Sequence, residues 1–295
     1  MYESFFGLSE KPFSLLPDPD FLYYTKQHKL ALTMLEYGMS SQAGFTVITG
    51  EIGAGKTTLI RKLLEKDDPS VTVGLLNNTM VADLKELLSW IAFSFGLEFD
   101  GKTHVELYND FIHFLIEEYG EGRRCVMIID EAQQLGVAML EQVRMLSNIN
   151  SGKHLLIQFI LVGQPELRDI LRLPELVQFA QRIAVDYHLK RLTEAETEEY
   201  IQHRVKMAGG DDKLFHKETC HLIWKYSKGI PRLINVLSDT ALVYGFSEQR
   251  SQVDLELMRE VIKDKETGLA PVQEEISVEE IERDLDEVKN KKAQG

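Results

Sequence analysis

The sequence predicts an α/β protein built on a parallel sheet with helices on both faces, followed by a small all-helical part. Three observations carry this reading. Short apolar runs alternate with helically spaced segments through the first two thirds of the chain. A glycine-rich turn joins the first of those runs to a helix. After Leu192 the strand-like runs stop and only helical patterns remain.

The size and charge of the chain set the limits. Its 295 residues suffice for one large domain or two modest ones. The hydrophobic fraction is 44% and the charged fraction 27%, as in ordinary globular proteins. The formal net charge is −14, which repels phosphate backbones and disfavours broad coating of nucleic acid. Cys125 and Cys220 lie far apart and form no disulfide or metal-ligand spacing. The first residues lack a basic stretch followed by an apolar one, and no apolar segment is long enough to span a bilayer. A reduced, cytoplasmic setting is expected.

Residues 1–27 read as an arm, punctuated by Pro12, Pro17 and Pro19, which forbid a continuous helix. Its aromatic residues need cover. Residues 28–39 show helical spacing, with Leu30, Met34 and Tyr37 on one face. Buried strands are expected at Phe45–Thr49, Val71–Leu76, Cys125–Asp130, Leu155–Gly163 and Ile183–Leu189. Helices are expected between them at Thr57–Leu64, Ala82–Phe95, Val105–Tyr119 and Ala138–Ile149.

The domain organisation follows from these elements. A core is expected over 28–191 and a helical domain over 192–264. In the latter, Thr193 and Glu196 form a capping box at a helix start. That helix is expected to end at Gly209-Gly210, a second at Gly229, and a third to begin at Pro231. A fourth covers Leu255–Lys263. Residues 265–295 are charged and free of aromatics, and read as a solvated or partner-dependent tail with a short acidic helix at Val278–Val288.

The chemistry begins at Gly50-Glu51-Ile52-Gly53-Ala54-Gly55-Lys56-Thr57, followed by Thr58. Glycine, four residues, glycine, lysine and threonine make up the P-loop pattern. It lies between an apolar strand and a helix, the context the pattern requires. Glycines let backbone N–H groups close round phosphate oxygens, and the helix N-terminus adds a favourable field. Lys56 would reach the β- and γ-phosphates of ATP, and Thr57 would bind Mg²⁺. A glycine turn that merely caps a surface helix is the plainer alternative.

The run Val126-Met127-Ile128-Ile129 ends in Asp130-Glu131. The first carboxylate would hold the metal's water shell, as Walker-B aspartates do. The second would orient and deprotonate the attacking water. An acidic pair capping a surface strand end is the alternative. Gln164, after the run Leu161-Val162-Gly163, suits a contact to the water or γ-phosphate, and equally a turn residue bonding its own backbone. Arg182 lies just before the last strand, where a surface arginine would serve as well. Arg232 falls in the first turn of the helix opened by Pro231, where a cation opposes the helix dipole. A nucleotide phosphate would compensate, and so would a salt bridge.

These motifs converge. The chain resembles AAA+ ATPases of the general secretion pathway protein A (ExeA) type, and most of all their relatives in exopolysaccharide and exosortase-linked export clusters. The resemblance rests on PFSLLPDPDFLYYTKQH, GFTVITGEIGAGKTTLIRKLL, MIIDEAQQL, LEQVRMLSNIN, ILVGQPELR, FAQRIAVDYHLKRL and SKGIPRLINVLSDTAL, and runs from residue 1 to about 263. It implies a five-stranded AAA+ core with a helical lid, with nucleotide between them and each site completed by a neighbouring subunit. It implies that Arg182 is an arginine finger acting in trans, Arg232 the sensor-2 arginine and Gln164 the sensor-1 residue. Tyr24 and His28 would line the adenine pocket or simply pack.

The resemblance also has departures. Longer secretion ATPases carry a transmembrane helix and a periplasmic peptidoglycan-binding domain after the lid, and neither is read here. The chain has Asp130-Glu131-Ala132-Gln133-Gln134 where the family usually has DEAQN or DEAQH.

The expected function is an oligomeric ATPase that drives or regulates an envelope secretion or polysaccharide-export assembly through membrane-associated partners. Two alternatives stand beside it: a DNA-associated AAA+ regulator of transposition, and a slow nucleotide-gated scaffold.

Overall fold

β1 (Phe45–Gly50) is buried at every position, because it has a parallel neighbour on each side. The computed structural model describes residues 1–16, 21, 23–66, 68–77 and 80–266. Beside β1 run β4 (Ile157–Gly163) and β5 (Ile183–Leu189). Beyond β4 come β3 (Arg124–Ile129) and then β2 (Val71–Leu76), so the five parallel strands lie in the order β2-β3-β4-β1-β5. Central strands are buried almost throughout; the edge strands β2 and β5 mix buried with exposed positions, as one-sided neighbours demand.

The period of two along each strand sorts the core into two layers. Phe45, Val47, Met127, Ile129, Phe159 and Leu161 face one side. Ile48, Val126, Ile128, Ile160 and Val162 face the other, where they meet Leu35 of α1 (Lys26–Ser40) and Ile60 and Leu63 of α2 (Lys56–Leu64). The first layer is covered by α3 (Leu84–Ser94), α4 (His104–Gly120), α5 (Gly136–Leu146) and α6 (Pro165–Leu171). α4 begins with a complete capping box, Thr103 with Glu106.

α1 is the expected helix, but the face that carries Leu30, Met34 and Tyr37 is not its buried one. Its buried face is His28, Ala31, Leu35 and Gly38, whereas Leu30 and Tyr37 are 45% and 58% exposed. The period is helical as expected, but its phase is set by packing. A Cβ at Gly38 would lie 2.1 Å from Thr46 Oγ1, so only glycine lets α1 settle on β1 at that point. The expected strand at Leu155–Gly163 starts two residues later, because Asn150–Ser151 and His154–Leu155 pair as a small antiparallel hairpin. The helix expected at Ala138–Ile149 runs instead over Gly136–Leu146, behind a 3-10 turn at Ala132–Leu135. A short helix, α7 (Val177–Ala180), follows α6; neither was read from the sequence.

The chain separates into two units. One holds Lys26–Glu51 and Lys56–Lys190, the sheet and its helices. The other holds Met1–Thr25, Ile52–Gly55 and the described residues from Arg191. In the second unit, α8 (Glu194–Met207) opens on the capping box of Thr193 and Glu196. α9 (Lys217–Ser227), α10 (Pro231–Ser247) and α11 (Leu255–Glu266) complete it. Their core takes in Tyr2, Leu8, Phe13 and Phe21 from the arm, the cover its aromatics required. Arg204 of α8, 7% exposed, donates to the carbonyl of Pro12 (2.5 Å) and the hydroxyl of Tyr200 (2.9 Å), with Phe21 under its guanidinium. Apart from Lys265 and Glu266, the expected acidic tail and its helix lie outside the described residues.

Candidate nucleotide site

The glycine-rich turn, the acid pair Asp130-Glu131 and Gln164 sit at the carboxyl ends of strands or just after them, where open α/β sheets place their ligand sites. β1 ends at Gly50, and α2 begins at Lys56. Between them Gly53 (φ 80°) and Gly55 (φ 99°) take left-handed conformations that a side chain would disfavour, so the turn is tight enough to aim backbone N–H groups inward. Gly53 is also fixed by its surroundings. A Cβ there would lie 2.4 Å from the Arg232 Cβ, and the Arg232 N–H donates to the Gly53 carbonyl at 3.2 Å.

Lys56 is 6% exposed. Its Nζ donates to the carbonyl oxygens of Gly50 (2.7 Å) and Glu51 (2.9 Å), which hold the ammonium inside the turn. Burial pulls its pKa below the ordinary lysine value, against the opposing pull of the Glu131 and Asp130 carboxylates. A buried cation facing two carboxylates suits an anionic ligand that brings its own metal.

Thr57 Oγ1 donates to Asp130 Oδ2 at 3.1 Å, so one hydroxyl and one carboxylate from different elements meet. Burial raises the Asp130 pKa, opposed by hydrogen bonds from the Glu131 N–H and the Thr57 hydroxyl. The pair fits Mg²⁺, which takes hard oxygen ligands from one or two protein groups and the rest from phosphate and water.

Glu131 has φ 54°, ψ 38°, the left-handed region that a non-glycine residue enters only when its surroundings hold it there. Its Oε2 accepts from Gln164 Nε2 at 2.8 Å, which brings Gln164 to the expected acid rather than to its own backbone. It also accepts from Gln133 Nε2 at 2.6 Å. Gln133 was not singled out from sequence. The available signals were its place in the DEAQ stretch and its position two residues past Glu131, and neither shows its contact without the left-handed turn.

Arg182 is placed elsewhere. Phe45 pairs with Ile183 and Gly50 with Leu189, so Arg182 lies at the amino end of the sheet while the P-loop leaves the carboxyl end. Six strand steps, from Ile183 to Leu189, separate the two levels, about 20 Å at ~3.3 Å per residue. There Arg182 Nη1 donates to Ser147 Oγ at 3.1 Å, at the C-terminus of α5. His28 is buried in α1 and Tyr24 is half-buried just before it.

The AAA domain family matches residues 39–171. Among solved structures, the Aeropyrum pernix ORC2 protein (ADPNP–ADP complexes) superposes with a TM-score of 0.66 at 20% identity, covering 87% of this chain and 72% of that one. The Thermotoga maritima RuvB Holliday junction branch migration motor gives 0.55 at 16% identity, covering 87% and 75%. At such identities these likenesses establish the fold. Sheet order, P-loop and acidic strand end together define an AAA+ P-loop ATPase. General secretion pathway protein A of Aeromonas hydrophila is 39% identical over 248 residues, an alignment covering 84% of this chain and 45% of that protein. The chain is similar to this protein and spans about half of its length.

Proposed function

We propose that the chain binds ATP·Mg and hydrolyses it at sites completed by a second subunit, and that turnover serves an envelope secretion or polysaccharide-export assembly. The observation that carries the hydrolytic reading is the cluster of Lys56, Thr57, Asp130 and Glu131 at the ends of β1 and β3. Backbone N–H groups and Lys56 would hold the phosphates. Thr57 and Asp130 would hold Mg²⁺, which supplies charge neutralisation on the phosphate oxygens when bound. Glu131 would orient the attacking water and accept its proton. Arg232, beside Gly53, would meet phosphate charge; Tyr24 and His28 would border the base.

The position of Arg182 supports completion in trans. About 20 Å of strand, at ~3.3 Å per residue, keeps it from its own P-loop, but another copy could present it to a γ-phosphate. The pathway rests on the likeness to general secretion pathway protein A. The net charge of −14 stands against a DNA-coating role.

ATPase rate per subunit measured against protein concentration tests the reading. A rate that rises with concentration and saturates is expected. A rate independent of concentration, or no retention of ATP·Mg under any condition, would overturn it.

A further inference from the structure

Gln133 uses both ends of its carboxamide inside the site. Its Oε1 accepts the Gln164 backbone N–H at 3.1 Å. A backbone N–H can only donate, so the carboxamide oxygen must face it, and the NH₂ is thereby turned toward Glu131 Oε2 at 2.6 Å. The same oxygen receives Gln164 Nε2 at 2.8 Å. One carboxylate oxygen of Glu131 is thus pinned by two amides, one from the turn after β3 and one from the end of β4. Gly163 leaves room beside this strut: a Cβ there would lie 2.7 Å from Leu167 Cδ2 and 2.9 Å from Gln133 Oε1.

We propose that Gln133 is a positioning residue for hydrolysis: by bridging the Gln164 N–H to the Glu131 carboxylate, it sets the direction in which Glu131 meets the attacking water. The inference rests on the ATPase reading above and deepens it. Without Gln133 the Glu131 carboxylate loses one of the amides that fix it, and it gains freedom to turn about its side-chain torsions. A base that samples several directions loses rate at the chemical step while leaving nucleotide binding to the P-loop.

The test uses the full chain. Gln133→Ala is expected to lower kcat at least tenfold, with KM for ATP and the affinity for a fluorescent ATP analogue unchanged within twofold. In a Glu131→Gln background the same substitution should lower the residual rate no further. If Gln133→Ala does not fold, Gln133→Met carries the comparison, since it keeps the length and removes both polar ends. A kcat within twofold of wild type, or an equal drop in the Glu131→Gln background, overturns the proposal alone. Wild-type turnover by Glu131→Gln itself overturns the base assignment and this proposal with it.

Discussion

The backbone N–H of Arg232 donates to the carbonyl of Gly53 at 3.2 Å, which ties the first turn of α10 to the middle of the glycine-rich turn. A side chain at position 53 would strike Arg232 Cβ and also meet an unfavourable φ of 80°. Gly53→Ala is therefore expected to lower ATP affinity by tenfold or more. Arg232→Ala keeps the backbone bond and should reduce turnover more than binding. Fluorescent-nucleotide titration alongside steady-state rates checks both; equal affinity in Gly53→Ala and wild type would count against the close fit.

Thr57 and Asp130 offer the two oxygens suited to the metal. In Thr57→Ala or Asp130→Asn, the gain in ATP affinity on adding Mg²⁺ should shrink by about tenfold or more, a loss on the order of 1.4 kcal/mol. Affinity in EDTA should hardly change. Titrations with and without EDTA separate this outcome from a general loss of fold.

Arg182 and Glu131 are expected to act in the same reaction from different chains. Glu131→Gln and Arg182→Ala should each turn over slowly, yet a mixture of the two should recover rate. In a mixed pair, one site can combine an intact Glu131 with an intact Arg182. A mixture no faster than its components would place Arg182 outside the reaction.

Burial pushes the thiols of Cys125 and Cys220 up to about 12, and both are 1% exposed. At pH 8 only about one thiol in ten thousand would be thiolate. The native protein should resist iodoacetamide for hours, whereas the denatured chain should take up two equivalents by mass spectrometry. Rapid native alkylation would show that the sheet or the helical unit opens readily.

What the sequence disclosed and what it withheld divide along one physical line. GEIGAGKT and the acid pair Asp130-Glu131 could be read because their chemistry depends on residue type at fixed spacing along one strand end. The capping box of Thr193 and the start at Pro231 were equally legible, since caps are local hydrogen-bond arrangements. The inner face of α1 was not. Spacing put Leu30, Met34 and Tyr37 on one face, but the close approach at Gly38 turned a different side inward. Gln133 was hidden because its reach to Gln164 joins two strand ends thirty-one residues apart. Arg182 could be matched to a family position, but only the strand register shows how far it stands from its own loop.

The hold of Arg204 on Pro12 reaches beyond the fold itself. Trimming the first 25 residues, a natural step in dissecting an ATPase, would take away one of the oxygen partners of Arg204 together with Tyr2, Leu8, Phe13 and Phe21, and so open the core of the helical unit to water. What looks like a dispensable leader is a fastener, and an inactive shortened protein would report a sprung helical unit rather than a missing catalytic group.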